Sequence, residues 1–307
     1  MLTIQMLTKN NGKTVGKAIE SVAPLNGHLV IGDLGSTDNT LNICEAYGAE
    51  IINLGDMPRN EARNSLTGDE INMYIEPWET LAQGHQEILN IKETSYATIL
   101  QGSFLRKEIR FWRNETFANP VFESIRTQTD KESAAIFFST GDSNMEHLLT
   151  KIEDWKLKTP LDPRPYYFQA SILLSQQKHK EFIKIAEHYL FVEKDKDSMS
   201  ATMIRYYYAM VQLTHMKKAK PALQNLNLCL CKKPLMAEFW CLMGDVYYHL
   251  LKKYQEAKEF YENAMILGSR RLKTDKWPMD LKKYSEYPQK MIESCEKITS
   301  SHSLYVQ

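Results

Sequence analysis

Leu29-Val30-Ile31-Gly32-Asp33-Leu34-Gly35-Ser36-Thr37-Asp38-Asn39-Thr40 is the stretch on which the reading of this chain turns. An apolar run ends in an aspartate and passes into a Gly-Ser-Thr-Asp turn, which sets polar groups at a strand's carboxyl end. In an open α/β sheet, ligands bind at that end. Ser36, Thr37 and Asp38 are helix-capping residue types, so a helix is expected over Leu41 to Tyr47. Asp33 and its turn are therefore a nucleotide-site candidate.

Outward from that turn, residues 1–150 alternate short apolar runs with helical patterns. Strands are expected at Leu2 to Thr8, Leu29 to Asp33, Glu50 to Asn53 and Ile71 to Ile75. Helices are expected at Thr14 to Val22, Thr40 to Tyr47, Glu61 to Leu66 and from Thr80 onward. Strands separated by helices read as parallel βαβ units. Further strands are expected at Tyr96 to Leu100, Ile109 to Trp112 and Ala134 to Phe138, as an antiparallel extension of the sheet. From about Pro163 the period changes. Tyr206, Ala209, Met210 and Leu213 are followed 34 residues later by Trp240, Met243, Gly244 and Tyr247. Ala222 and Leu226 return as Ala257 and Tyr261, displaced by one extra residue. An earlier unit carries Tyr167, Ala170, Ser171 and Leu174. This helix-turn-helix period looks like tetratricopeptide repeats, closed by a capping helix around Leu281 to Cys295. Two domains follow, residues 1–150 and 151–307.

Bulk properties exclude several classes. Lysine plus arginine equals aspartate plus glutamate at 38 each, so no global field draws nucleic acid or an anionic membrane. No apolar run reaches the roughly 18 residues of a transmembrane span. Met1 to Leu7 is short and lacks a basic leader, which reads as a strand and not a signal peptide. Five cysteines without a C-x-x-C pair point to reduced thiols in a cytoplasmic protein. The histidines show no H-E-x-x-H spacing, and neither a P-loop nor a strand-to-helix G-x-G-x-x-G occurs. A nucleotide hydrolase has no support.

Read in order, the first half resembles the family-2 glycosyltransferases of the GT-A fold. Five landmarks carry the resemblance: Thr8-Lys9-Asn10 after the first strand, the Gly32 to Thr40 turn, Gly48-Ala49, Glu61-Ala62-Arg63-Asn64-Ser65, and Gly68-Asp69. The fold class so implied is α/β plus all-α, a GT-A (nucleotide-diphospho-sugar transferase-like) mixed sheet followed by a tetratricopeptide-like helical array. The resemblance implies a nucleotide-sugar donor, held by Thr8, Asn10, Asp33 and Arg63. Asp33, an acceptor-only carboxylate, would take the imide N–H of a uracil. Arg63 would face the diphosphate with its guanidinium fork. A divalent cation, Mn or Mg, would sit on Glu76 and Glu79, and Glu123 would deprotonate the acceptor hydroxyl of a glycan or protein.

Two departures stand against that reading. Glu76-Pro77-Trp78-Glu79 replaces the family's Asp-x-Asp, and Phe122-Glu123 replaces its His-Glu pair, so cation binding is in doubt. The alternative is a catalytically degenerate domain of the same fold acting as an interaction scaffold, with a protein partner on the repeats.

Overall fold

A computed structural model gives the fold over residues 1–119, 124–125, 127, 129, 131–141, 146–271 and 275–304. The chain forms two compact units, Met1–Lys151 and Ile152–Gln307.

The first unit is built on strands β1 (Thr3–Thr8), β2 (His28–Asp33), β3 (Glu50–Asn53), β4 (Asn72–Tyr74), β5 (Glu79–Gln83), β6 (Ser95–Gln101), β7 (Phe104–Trp112) and β10 (Glu132–Ser139). A two-residue pair, β8 (Phe117–Ala118) and β9 (Ser124–Ile125), stands apart from that sheet. The main sheet runs β3-β2-β1-β4-β7-β6-β10-β5. β1 lies between β2 and β4, parallel to both, and all six of its residues are buried. A strand covered on both faces has no solvent side, which is why Thr3 to Thr8 reads as a run and not an alternation. Helices α1 (Val15–Val22), α2 (Thr40–Ala46), α3 (Arg59–Ser65) and α4 (His85–Ile88) fill the connections. α1 buries Val15, Ala18, Ile19 and Val22, a single stripe at helical spacing. That stripe meets Ile4, Met6, Ile31, Met73 and Phe111 on one sheet face. Leu7, Val30, Leu34, Ala62 and Leu66 form a smaller core with α3.

The order of strands and helices up to β4 is the order expected from the sequence, with boundaries moved by a residue or two. The segment from Thr80 is different. Glu79–Gln83 is a strand, antiparallel to β10, and only His85–Ile88 is helical. Thr80, Leu81 and Ala82 have the alternating burial of a sheet edge, which prevails over their helical pattern. Glu79 therefore does not precede a helix and has no helix dipole to favour.

The second unit is helical. α5 (Glu146–Lys158) straddles the boundary, and α6 (Arg164–Ser175) pairs with α7 (His179–Val192). α8 (Met199–Thr214) pairs with α9 (Ala219–Lys232), and α10 (Ala237–Val246) with α11 (Tyr254–Gly268). A short strand β11 (Met279–Asp280) and a 3-10 turn (Leu281–Tyr284) lead into α12 (Glu286–Leu304), which packs on α11. The extra residue in the last repeat has a local cause. α10 runs into a π-helical turn, Tyr247–Leu251, and a π-turn takes up one residue more than an α-turn. Ala257 and Tyr261 thus regain the buried positions that Ala222 and Leu226 hold one repeat earlier. Each hairpin turns through one left-handed residue: Gln177 (φ 57°), Lys217 (φ 53°) and Lys252 (φ 57°).

Candidate functional site

The strand register sets Thr8 beside Asp33 at the carboxyl ends of β1 and β2. Both are buried. The Asp33 carboxylate is turned on its own loop: it accepts from the Gly35 backbone N–H at 3.2 Å and from that of Ser36 at 3.0 and 3.1 Å. An Asp at a strand end that closes its own turn is satisfied without a ligand. Asn10, at φ 57°, ties the first loop to the second, its side-chain oxygen accepting from the Thr37 N–H at 2.7 Å. Gly12 N–H donates to Asp38 at 3.1 Å and Asn11 N–H to Thr40 at 2.8 Å. These polar groups stitch two loops together.

Arg63 lies under the sheet end, its side chain fully buried, with Nη2 at 2.6 Å from Glu76 Oε1. Arg59, one helical turn earlier on α3, reaches the same carboxylate at 2.9 and 3.1 Å. Glu76 to Glu79 is a tight turn closed by Glu79 N–H donating to the Glu76 carbonyl at 2.9 Å, with Pro77 at the corner. The turn carries Glu79 inward, where Arg110 of β7 grips it with two bonds of 2.6 and 2.8 Å. Arg110 also donates to Glu108 at 2.8 Å, and Arg106 holds Glu108 at 2.5 Å. Tyr74 lies between two guanidinium groups, with Arg63 at 4.4 Å and Arg110 at 4.1 Å from its ring centre.

Burial pushes the Glu79 carboxyl up, against the pull of Arg110. Burial likewise opposes ionisation of Glu108, but Arg110 and Arg106 outweigh it and bring that carboxyl down to about 2. Glu76, Glu79 and Glu108 with Arg59, Arg63, Arg106 and Arg110 form one ion cluster, buried at Arg63, Glu79 and Arg110 and partly open to solvent at Arg106 and Glu108. The two glutamates expected to hold Mn or Mg spend their oxygens on arginines, and Arg63 is sealed in the core instead of facing a diphosphate. Among the described residues no three His, Cys, Asp or Glu side chains converge on a metal-sized site. Glu123 lies outside the described residues. Arg63, Glu76 and Glu79 of this cluster stood out in the sequence, and Arg110 only as part of an arginine-rich strand with no role given to it. Arg59, one turn before the Glu61 to Ser65 motif on α3, and Arg106 and Glu108 of β7 were not singled out.

The helical unit has an open groove of about 620 Å³ between α9 and α11, over α10. Leu223, Leu230, Trp240, Met243, Tyr247 and Phe260 line it. Phe260 packs against Tyr247 at 4.7 Å and Trp240 at 6.2 Å between ring centres. The Trp240 indole donates to the Pro234 carbonyl at 2.7 Å, which fixes the ring at the groove's edge. The repeat period located Trp240, Met243 and Tyr247 as core; Met243 and Leu230 are buried, whereas Leu223, Trp240, Tyr247 and Phe260 are only partly covered.

The chain matches no family model and no curated protein. Among solved structures it is similar to MamA (residues 41 to the end) from Desulfovibrio magneticus RS-1, at 18% identity, TM-score 0.38, over 52% of this chain and 88% of that one. It is similar to the Sgt2 TPR domain from Aspergillus fumigatus at 11% identity and TM-score 0.37, over 47% and 83%. The first TPR of Spaghetti (RPAP3), solved with an HSP90 peptide, gives 14% identity and TM-score 0.35, over 45% and 93%. These are tetratricopeptide-repeat proteins, not glycosyltransferases. The expectation of a family-2 glycosyltransferase with a GT-A domain that moves sugar from a nucleotide donor is corrected on that finding. The occupied Asp33, Arg63, Glu76 and Glu79 side chains supply a physical reason. The second unit is a set of paired helices, α6 with α7, α8 with α9 and α10 with α11. No helix among the described residues is long and apolar enough to cross a membrane.

Proposed function

We propose that the chain is a protein-interaction scaffold whose helical repeats hold a polypeptide segment. One observation carries this: the groove over α10 leaves Leu223, Trp240, Tyr247 and Phe260 partly uncovered side by side, where an isolated core would have closed over them. An apolar concavity walled by rigid helices suits the side chains of a bound segment. Aromatic anchors in such a groove carry most of the binding free energy. In the first unit the Asp33, Arg63, Glu76 and Glu79 side chains are taken up by internal partners.

The test is selection from a library of random displayed peptides on the full chain. Recovered peptides should bind less tightly to Phe260→Ala, by about 2 kcal/mol for a buried anchor. Leu223→Ser should weaken them too, while circular dichroism and the unfolding midpoint of each variant stay close to those of the parent chain. Peptides indifferent to both substitutions, or an empty selection, would remove the scaffold reading.

A further inference from the structure

The neutral total hides a division. Of the 38 lysines and arginines, 13 lie in residues 1–151 and 25 in 152–307; of the 38 acids, 20 and 18. The first unit therefore carries a formal −7 and the second +7. Within the second unit the excess is concentrated in one repeat. Between Asp197 and Glu238 there is no acidic residue, while Arg205, Lys217, Lys218, Lys220, Lys232 and Lys233 all occur. That span is α8 and α9, and α9 forms one wall of the apolar groove.

Lys220 stands on the groove face of that wall, one turn before Leu223, whereas Lys232 falls on the opposite face of α9 from Leu223, Asn227 and Leu230. Lys217, Lys218 and Lys220 are exposed at the start of α9, and Lys232 is exposed at its end. Lys233 is shared with Asp275, at 3.7 Å, and with the Trp277 ring. The first end is reinforced by its neighbours. The stacked rings of His179 and His215, 3.6 Å between centres, hold the first and second hairpin turns side by side. The residues opening α7, α9 and α11 are Lys178, Lys218 and Lys253, none of them making a side-chain cap bond. Lysine cannot accept a hydrogen bond from a helix N-terminus, and it adds positive charge where the helix dipole is already positive. A local preference broken at three equivalent positions signals a role beyond stability.

We infer that the segment bound in the groove is acidic, with apolar anchors in the groove and carboxylates on the flank that meets the basic cluster of Lys217, Lys218 and Lys220. This rests on the scaffold reading. The groove's floor favours polypeptide over nucleic acid. Leu223, Leu230 and Met243 give aliphatic contact suited to apolar side chains beside the rings of Trp240, Tyr247 and Phe260. Arg205, the one arginine of the acid-free span, directs its guanidinium at the Lys196 carbonyl. Complementary charge at the rim of an apolar site raises the association rate and selects the partner.

The same displayed-peptide selection tests the inference through a different readout, the composition of what it recovers. Asp and Glu should be enriched on one side of an apolar centre. Affinity for a recovered peptide should fall on the order of tenfold when its carboxylates become amides, and the gap should narrow as salt is raised. Lys217→Glu with Lys220→Glu should lose the acidic preference while leaving the amide peptide's affinity unchanged. Recovery of neutral or basic peptides that bind independently of salt would overturn the inference and leave the scaffold standing. An empty selection would remove both. Full displacement of the peptide by an equimolar thymidylate oligonucleotide would overturn the inference in favour of nucleic acid.

Discussion

Arg110→Ala should destabilise the sheet unit by about 3–5 kcal/mol, the cost of leaving a buried carboxylate without its partner. The Arg110 side chain is 1% exposed and that of Glu79 is 0% exposed, so water cannot replace the lost bonds. Alanine also removes the guanidinium from the Tyr74 face and a donor from Glu108. The control is Arg110→Met with Glu79→Leu. Exchanging a buried pair for apolar side chains of similar size is often neutral or stabilising, so this double variant should recover most of the loss. Hydrogen exchange of the β1 and β7 amides reads the sheet unit by itself. If the double variant is as unstable as the single one, the ion cluster contributes specific structure and not only paired charge.

The same cluster sets a pH dependence. The folded Glu108 carboxyl is depressed to about 2 from an ordinary value of 4.5, with Arg110 and Arg106 overcoming burial. A depressed carboxyl contributes stability that is present above the unfolded value and lost as pH falls through the folded one. The Glu108 contribution to sheet stability should therefore be lost between about pH 4.5 and pH 2, offset in part by Glu79, whose raised carboxyl favours the folded state as it protonates. Arg110→Ala should move that loss to higher pH.

The elements of the first unit up to β4 were legible because each is local: an apolar run, a cap-forming turn, a one-sided stripe. The role of Asp33 was not. A carboxylate after a strand has the same local sequence whether it meets a ligand or its own backbone, and here Gly35 and Ser36 take it. Glu76 and Glu79 were legible as oxygen donors, but what they donate to is set by Arg63 and Arg110, 13 and 31 positions away. Such pairings belong to the tertiary fold. The repeat period was legible because its hairpins are local, and even the displaced residue in the last repeat had its cause within one turn of Tyr247. The division of charge was present in the sequence but cancelled in the total.

Gly244→Ala and Tyr261→Ala should prove strongly non-additive. A Cβ on Gly244 would stand 2.7–2.9 Å from three atoms of the Tyr261 ring, closer than packed carbon atoms approach. Alanine favours a helix over glycine by nearly 1 kcal/mol, yet overpacking costs about 1–3 kcal/mol, so Gly244→Ala should be destabilising on balance. Tyr261 is fully buried and donates to Asp245 at 2.7 Å. Removing the ring should cost about 3–5 kcal/mol. Without the ring, the Gly244→Ala methyl enters the vacated space, so the double variant should be more stable than the sum of the single losses implies, by 1 kcal/mol or more. The consequence reaches α12, because Tyr287 donates to the same Asp245 oxygen at 2.6 Å. Tyr261→Phe keeps the ring and removes only its hydroxyl, leaving Asp245 to Tyr287, and should cost about 1 kcal/mol. Urea midpoints for the four alanine-cycle proteins decide the matter. Strict additivity would mean that Gly244 is not kept for the tyrosine ring, and that the last repeat and its capping helix are joined by something other than this contact.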